Sequence, residues 1–175
     1  MEISSEFIEK AKNIRFFFTD VDGTLTDGTS YYSAEGEQLK EFSLRDGTGF
    51  YLLRKADIVA GIITGENSPI VEARAKKLKL QYCFLNTENK RNLINSFCVE
   101  NNISSQQIAY IGDDLNDICL AGYVGLFFCP ADSSQYTIAK ADYVCTHVGG
   151  HGAFREAAEV LLRAKGLDIE TLFNK

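Results

Sequence analysis

Short apolar runs alternate along this chain with longer segments in which apolar residues recur every three or four positions. The runs predict strands near 15–19, 58–63, 81–85, 108–111, 124–128 and 142–145. Between them the helical spacing predicts helices near 5–12, 46–56, 68–79, 89–101, 114–121, 133–139 and 152–164, with Ser68-Pro69 marking one helix start. Alternation of this kind implies an α/β fold, a doubly wound, Rossmann-like parallel sheet flanked by helices on both faces.

One segment breaks the alternation. Residues 28–44 read as two short strands around a glycine-containing turn, a projecting β-hairpin. Its Tyr31, Tyr32, Leu39 and Phe42 offer more apolar surface than a lone solvated hairpin satisfies, so they either pack on their own domain or are covered by another copy. The interval from Asp22 to Thr64 is too short for a folded cap domain in addition to this hairpin and the next helix. An open site is therefore expected.

Length and composition narrow the class. A chain of 175 residues, 45% hydrophobic and 24% charged, fits one domain spanning 1–175. No apolar stretch is long enough to cross a bilayer and no basic, apolar leader occupies Met1 to Arg15, so the expectation is a cytoplasmic protein with no membrane partner. A net charge of -6 without a compensating Lys/Arg cluster argues against a nucleic-acid partner. The five cysteines, at 83, 98, 119, 129 and 145, form no Cys-x-x-Cys and read as reduced thiols. His147 and His151 lack nearby third and fourth ligands, which disfavours a metal pair.

The candidate chemistry gathers at strand ends. Phe16-Phe17-Phe18-Thr19-Asp20-Val21-Asp22-Gly23 is an apolar strand ending in two carboxylates that share a face of the extended chain, followed by a glycine that permits a sharp turn. Ile62-Ile63-Thr64-Gly65 ends a second strand in a hydroxyl, Lys90 opens a helical segment, and Ile111-Gly112-Asp113-Asp114-Leu115-Asn116-Asp117 ends a third strand in acids. Open α/β sheets bind ligands at the carboxyl ends of their strands, and these groups suit phosphoryl transfer, which depends on positioning and on neutralising oxygen charge.

In that order the four motifs resemble the haloacid dehalogenase superfamily of aspartate-nucleophile phosphatases. The resemblance implies that Asp20 attacks phosphorus, that Asp22 acts as acid and base, that Thr64 donates to phosphoryl oxygens and that Lys90 neutralises them. It also implies Mg²⁺ held by Asp20, Asp22 and Asp113, with Asp114 and Asp117 supporting the cluster from behind. The segments Asp20 to Gly28, Arg45-Asp46-Gly47, Thr64-Gly65, Gly112 to Asp117 and Gly149 to Glu156 are similar to the small capless branch that includes phosphatases of 3-deoxy-2-keto sugar acids. That branch forms homotetramers whose hairpins meet at the centre and whose subunits share active sites, and the same is implied here.

On this resemblance the substrate is a small-molecule sugar-acid phosphate, either the eight-carbon KDO-8-phosphate or a nine-carbon acid 9-phosphate such as KDN-9-phosphate. Arg45, Asp46, Gly47, Gly65, Glu66, Arg74 and Lys77 are the residues expected to bind it. Glu66 stands where eight-carbon phosphatases typically carry Arg, and with Lys77 it looks more like the nine-carbon branch. Arg74 or Lys77 then meets the substrate carboxylate. Two rivals differ in class: a receiver-type phosphoaspartate switch, whose acceptor Asp lies on a later strand, and a catalytically silent oligomerising homologue.

Overall fold

The computed structural model describes residues 3–174; Met1, Glu2 and Lys175, the ends of the 1–175 span and the start of the segment read for a leader, lie outside the described residues. The chain runs α1 (Ser5–Asn13), β1 (Phe16–Thr19), β2 (Tyr31–Ser33), β3 (Gly36–Leu39), α2 (Leu44–Lys55), β4 (Val59–Ile63), α3 (Pro69–Leu78), β5 (Tyr82–Phe84), α4 (Lys90–Asn101), β6 (Ile108–Ile111), β7 (Leu126–Cys129), α5 (Gln135–Ile138), β8 (Tyr143–Val144), α6 (Ala153–Ala164) and α7 (Ile169–Phe173). Six strands form one parallel sheet in the order β5-β4-β1-β6-β7-β8, while β2 and β3 pair antiparallel as a separate hairpin. No cap domain accompanies them among the described residues.

Both faces of the sheet are covered, which explains the uninterrupted apolar runs. Phe17, Ala109, Ile111 and Phe128 face a layer built from α1, α2, α3 and α6. Their neighbours Phe16, Phe18, Ile108, Tyr110 and Phe127 face α4 and the turn around Leu120. The phenyl rings of Phe50 in α2 and Phe154 in α6 stack with centroids 4.0 Å apart. Burying such a ring is worth about 1.5–3 kcal/mol, and this pair locks the two longest helices of that layer together.

Three departures from the expected elements have local causes. The helix expected over 114–121 is a turn followed by a single 3₁₀ turn, Ile118–Leu120. There the N–H groups of Asp117 and Ile118 bond carbonyls three residues back, at Asp114 and Leu115, and the Asp117 carboxylate closes the turn by accepting from the backbone N–H groups of Asp113 and Asp114. A short terminal helix, α7, is capped by Asp168, which accepts from Thr171 N–H. Within the hairpin segment, Tyr31, Tyr32 and Leu39 are exposed, but Phe42 is not a hairpin residue: it packs partly buried against the main core with the Arg74 guanidinium 5.4 Å from its ring centroid.

Candidate active site

Register places the chemistry. β1 is the central strand of its trio, pairing Thr19 with Ile62 of β4 and with Ile111 of β6. The residues that follow, Asp20, Thr64 and Asp113, therefore emerge side by side at one edge of the sheet. Together with Asp22, Glu66 and the 114–116 turn they line a cavity of about 530 Å³, ample for a sugar phosphate.

Its floor is a closed set of polar contacts. The Lys90 ammonium, 2% exposed at the start of α4, donates to Asp20 Oδ2 at 2.7 Å, to Asp117 Oδ1 at 2.6 Å and to the Tyr110 hydroxyl at 3.0 Å. Tyr110 in turn donates to Asp117 Oδ1 at 2.6 Å. Asp20 Oδ1 accepts from Val21 N–H at 2.7 Å, which turns the carboxylate toward the cavity. Asp113 accepts from the Thr24 hydroxyl at 3.2 Å. Gly23 is required beside it, since a Cβ there would lie 2.0 Å from Asp113 Oδ2 and its φ of +80 suits glycine.

Charge is crowded on this floor. Burial pushes the Asp20 carboxyl up to about 7, the Asp117 charge adding to the rise and Lys90 opposing it. Asp113 is likewise raised to about 7, by burial first and then by Asp117 and Asp20. Burial works to lower the Lys90 ammonium, but the two carboxylates against it outweigh that and hold it above its ordinary value. Oxygen ligand atoms of Asp20, Asp113 and Asp117 lie within 4.8 Å of one another, so the cluster can hold a cation. Both Asp117 oxygens are already committed, to Lys90 and Tyr110 on one side and to backbone N–H groups on the other, which leaves Asp20 and Asp113 as the side chains free to ligate. An all-oxygen donor set in a cradle that only glycine leaves open fits a hard divalent ion.

The lip is built differently. Asp22, a third of its side chain exposed, is held by the Lys40 ammonium at 2.5 Å, and Lys40 also reaches Glu37 at 2.8 Å. Glu37 accepts from Ser30 and, at 2.6 Å, from the Ser68 hydroxyl. Burial tends to raise Glu37, yet Lys40 and the two serines bring it down to about 2.

Of the expected site residues the fold gathers Asp20, Asp22, Thr64, Gly65, Glu66, Asp113 and Asp114 on the cavity wall, with Lys90 and Asp117 beneath. Asp114 stands exposed at the lip and not behind the cluster, because the turn closed by Asp117 N–H on the Asp114 carbonyl buries Asp117 and leaves residues 114–116 facing outward. Five expected substrate contacts are elsewhere within this chain. Asp46, in the first turn of α2, is buried against the start of α6, where it accepts from Arg155 N–H at 2.9 Å. Arg45 lines a separate hollow with His147 and His151, and His147 is bound to Glu156 at 2.7 Å. Gly47, Arg74 and Lys77 border a third hollow, where Arg74 donates to the Ser43 carbonyl at 2.8 Å. Sequence reasoning missed Lys40, Glu37 and Tyr110: charges on a hairpin read as solvated, and a tyrosine in an apolar run reads as core.

A buried carboxylate at a strand tip, an ammonium behind it and a cation cradle beside it are the features a phosphoryl-transfer site requires. Residues 63–155 match the family model described as haloacid dehalogenase-like hydrolase, and the chain belongs to that family. It is a phosphatase-type hydrolase with the capless architecture. More particularly, it is 39% identical over 158 residues to the 3-deoxy-D-manno-octulosonate 8-phosphate phosphatase KdsC of Haemophilus influenzae, covering 90% of this chain and 88% of that protein. The Escherichia coli K12 protein of the same name is 39% identical over 164 residues, 94% of this chain and 87% of its own. Among solved structures, the Moraxella catarrhalis 3-deoxy-D-manno-octulosonate 8-phosphate phosphatase, in complex with magnesium ion, phosphate ion and KDO, superposes with a TM-score of 0.90 at 34% identity, covering 95% of each chain. The cobalt-bound Haemophilus influenzae enzyme gives 0.89 at 38% identity over 95% of this chain and 99% of that one.

Proposed function

We propose that this chain is a Mg²⁺-dependent phosphomonoesterase that hydrolyses a phosphorylated 3-deoxy-2-keto sugar acid, KDO-8-phosphate first, through a phosphoryl group carried on Asp20. The observation that carries the reading is the Asp20 carboxylate held at the cavity floor by Lys90 at 2.7 Å and Val21 N–H at 2.7 Å, with Asp22 at the lip above it. Asp20 attacks phosphorus while the sugar hydroxyl oxygen departs, taking a proton from Asp22. A water molecule then attacks the phosphorus, Asp22 accepts its proton, and Asp20 and inorganic phosphate are released. Thr64 would donate to the equatorial oxygens, and Lys90, from behind Asp20, would offset their charge. Asp20, Asp113 and the Asp22 main-chain carbonyl would hold Mg²⁺, which supplies charge neutralisation when bound. The relatives' substrate supports the eight-carbon acid.

Glu66 favours a second reading. It is exposed on the cavity wall two residues beyond Thr64, where a carboxylate can accept from the additional hydroxyl of a nine-carbon acid. Arg45, Arg74 and Lys77 would contribute to substrate binding only across subunits, since within one chain they do not reach this cavity; a homotetramer joined through Tyr31, Tyr32 and Leu39 would supply that arrangement. Phosphate release with Mg²⁺ from KDO-8-phosphate, KDN-9-phosphate and hexose phosphates tests the assignment. Preference for KDN-9-phosphate selects the second reading, preference for hexose phosphates overturns both, and Asp20→Asn retaining wild-type turnover overturns the covalent route.

A further inference from the structure

The lip carries one lysine that the reaction as described does not use. Lys40 follows the second hairpin strand by one residue, yet its side chain is only 3% exposed. A lysine whose charge is not needed would swing into solvent, because ordering and burying it costs side-chain entropy and hydration. Instead its ammonium is divided between two carboxylates, Asp22 at 2.5 Å and Glu37 at 2.8 Å. Glu37 is itself tied from both sides, by Ser30 at the hairpin root and by Ser68 at the start of α3. The result is a continuous chain of contacts, Ser68 to Glu37 to Lys40 to Asp22, from the scaffold to a lip carboxylate whose recorded partner is the Lys40 ammonium. Asp20, by contrast, is oriented by Val21 N–H and by Lys90.

We propose that Lys40 is a positioning residue for Asp22, with Glu37 as its anchor, so that the root of the hairpin sets where the acid that protonates the departing alcohol stands. This rests on the reading of Asp22 as that acid. Proton transfer tolerates little misplacement, and an error near 1 Å is enough to cost on the order of 10² in rate. Lys40 then matters in proportion to how much the departing group needs a proton.

The test compares two esters of opposite need with the full-length protein and Mg²⁺. A sugar phosphate leaves as a basic alkoxide and requires the proton; nitrophenyl phosphate leaves as a stabilised phenolate and does not. The quantity read is kcat/KM, which covers the steps up to departure of the alcohol. Lys40→Met is expected to lower it roughly 10- to 100-fold on the sugar phosphate and by less than about 3-fold on nitrophenyl phosphate. Lys40→Arg should recover most of the loss, and Glu37→Gln should shift the same ratio in the same direction by a smaller amount. Equal losses on both esters, the result of a general structural role or of direct phosphate binding by Lys40, would overturn the proposal. So would an unchanged ratio. An Asp22→Asn variant that also leaves the ratio unchanged would instead overturn the reading of Asp22 as the acid, and separates that failure from failure of Lys40 alone.

Discussion

Two lysines in this protein each bridge a pair of carboxylates, one beneath the cavity and one at its lip. Lys90 joins Asp20 and Asp117, whose side chains are 6% and 0% exposed; Lys40 joins Asp22 and Glu37, at 34% and 17%. The contact distances are alike and both ammonium groups are buried, so the depth of the carboxylates is what separates them. Below, water is excluded, and removing one charge strands the others without solvent to replace it. At the lip, water can take over a lost partner, and what disappears is orientation. On the proposed reading the floor therefore couples function to folding, whereas the lip would supply function at little cost to stability.

The strongest way to break the comparison is to cut both bridges. Lys90→Met should destabilise the protein by about 3–5 kcal/mol as well as abolish turnover, because two buried carboxylates lose their counter-charge; denaturant unfolding checks it, and a loss below ~1 kcal/mol would show the floor to be no deeper than the lip. Asp22→Ala should do the reverse, lowering kcat by about 10² to 10⁴ while unfolding shifts by less than ~1 kcal/mol. Tyr110→Phe probes the floor more gently. It removes one of the two donors to Asp117 Oδ1 and should cost about 0.5–1.5 kcal/mol, with Lys90 keeping that oxygen paired.

Acid sharpens the contrast through its sign. Asp20 and Asp113 have folded values near 7, above the ordinary 3.8, so in the metal-free protein the stability they lend is full below about 3.8 and is lost as pH rises toward 7. Glu37 is displaced the other way, to about 2 from 4.5, so its contribution is present above 4.5 and is lost as pH falls toward 2. Thermal unfolding in chelator should therefore show Asp113→Asn flattening the limb between pH 4 and 7 and Glu37→Gln flattening only the limb below 4.5. Mg²⁺ should raise the wild-type Tm more at pH 8 than at pH 6, since it competes with the protons on Asp20 and Asp113. The same variant altering both limbs would dissolve the distinction between floor and lip.

Much of the frame was legible in the chain. Phe16-Phe17-Phe18, Ile62-Ile63 and Ile108 to Ile111 are strands because both sheet faces are dry, and a strand buried on both sides is written as a continuous apolar run. Asp20, Asp22, Thr64 and Asp113 were legible because each sits within three residues of such a run, so local geometry alone brings them to the sheet edge. The segment 114–121 misled, since its apolar spacing is helical while its backbone N–H groups bond carbonyls three residues back and the Asp117 side chain turns inward beneath the cavity. Phe42 misled for a related reason: the pattern could not tell a hairpin aromatic from one that folds back beneath Arg74.

What the sequence determined by itself, then, is everything set by neighbours along the chain: strand identity, the doubly wound layers and the carboxylates at strand tips. Only the tertiary structure decided which charges meet. Lys40 and Asp22 are 18 positions apart, and Lys90 and Asp117 are 27 apart, separations at which no periodicity carries information. It also decided that Arg45, Asp46, Gly47, Arg74 and Lys77 lie away from this chain's own cavity. The physical reason is that secondary structure follows from local sterics and the alternation of burial, whereas an ion pair depends on where two independently placed elements leave their side chains and on how much water remains between them.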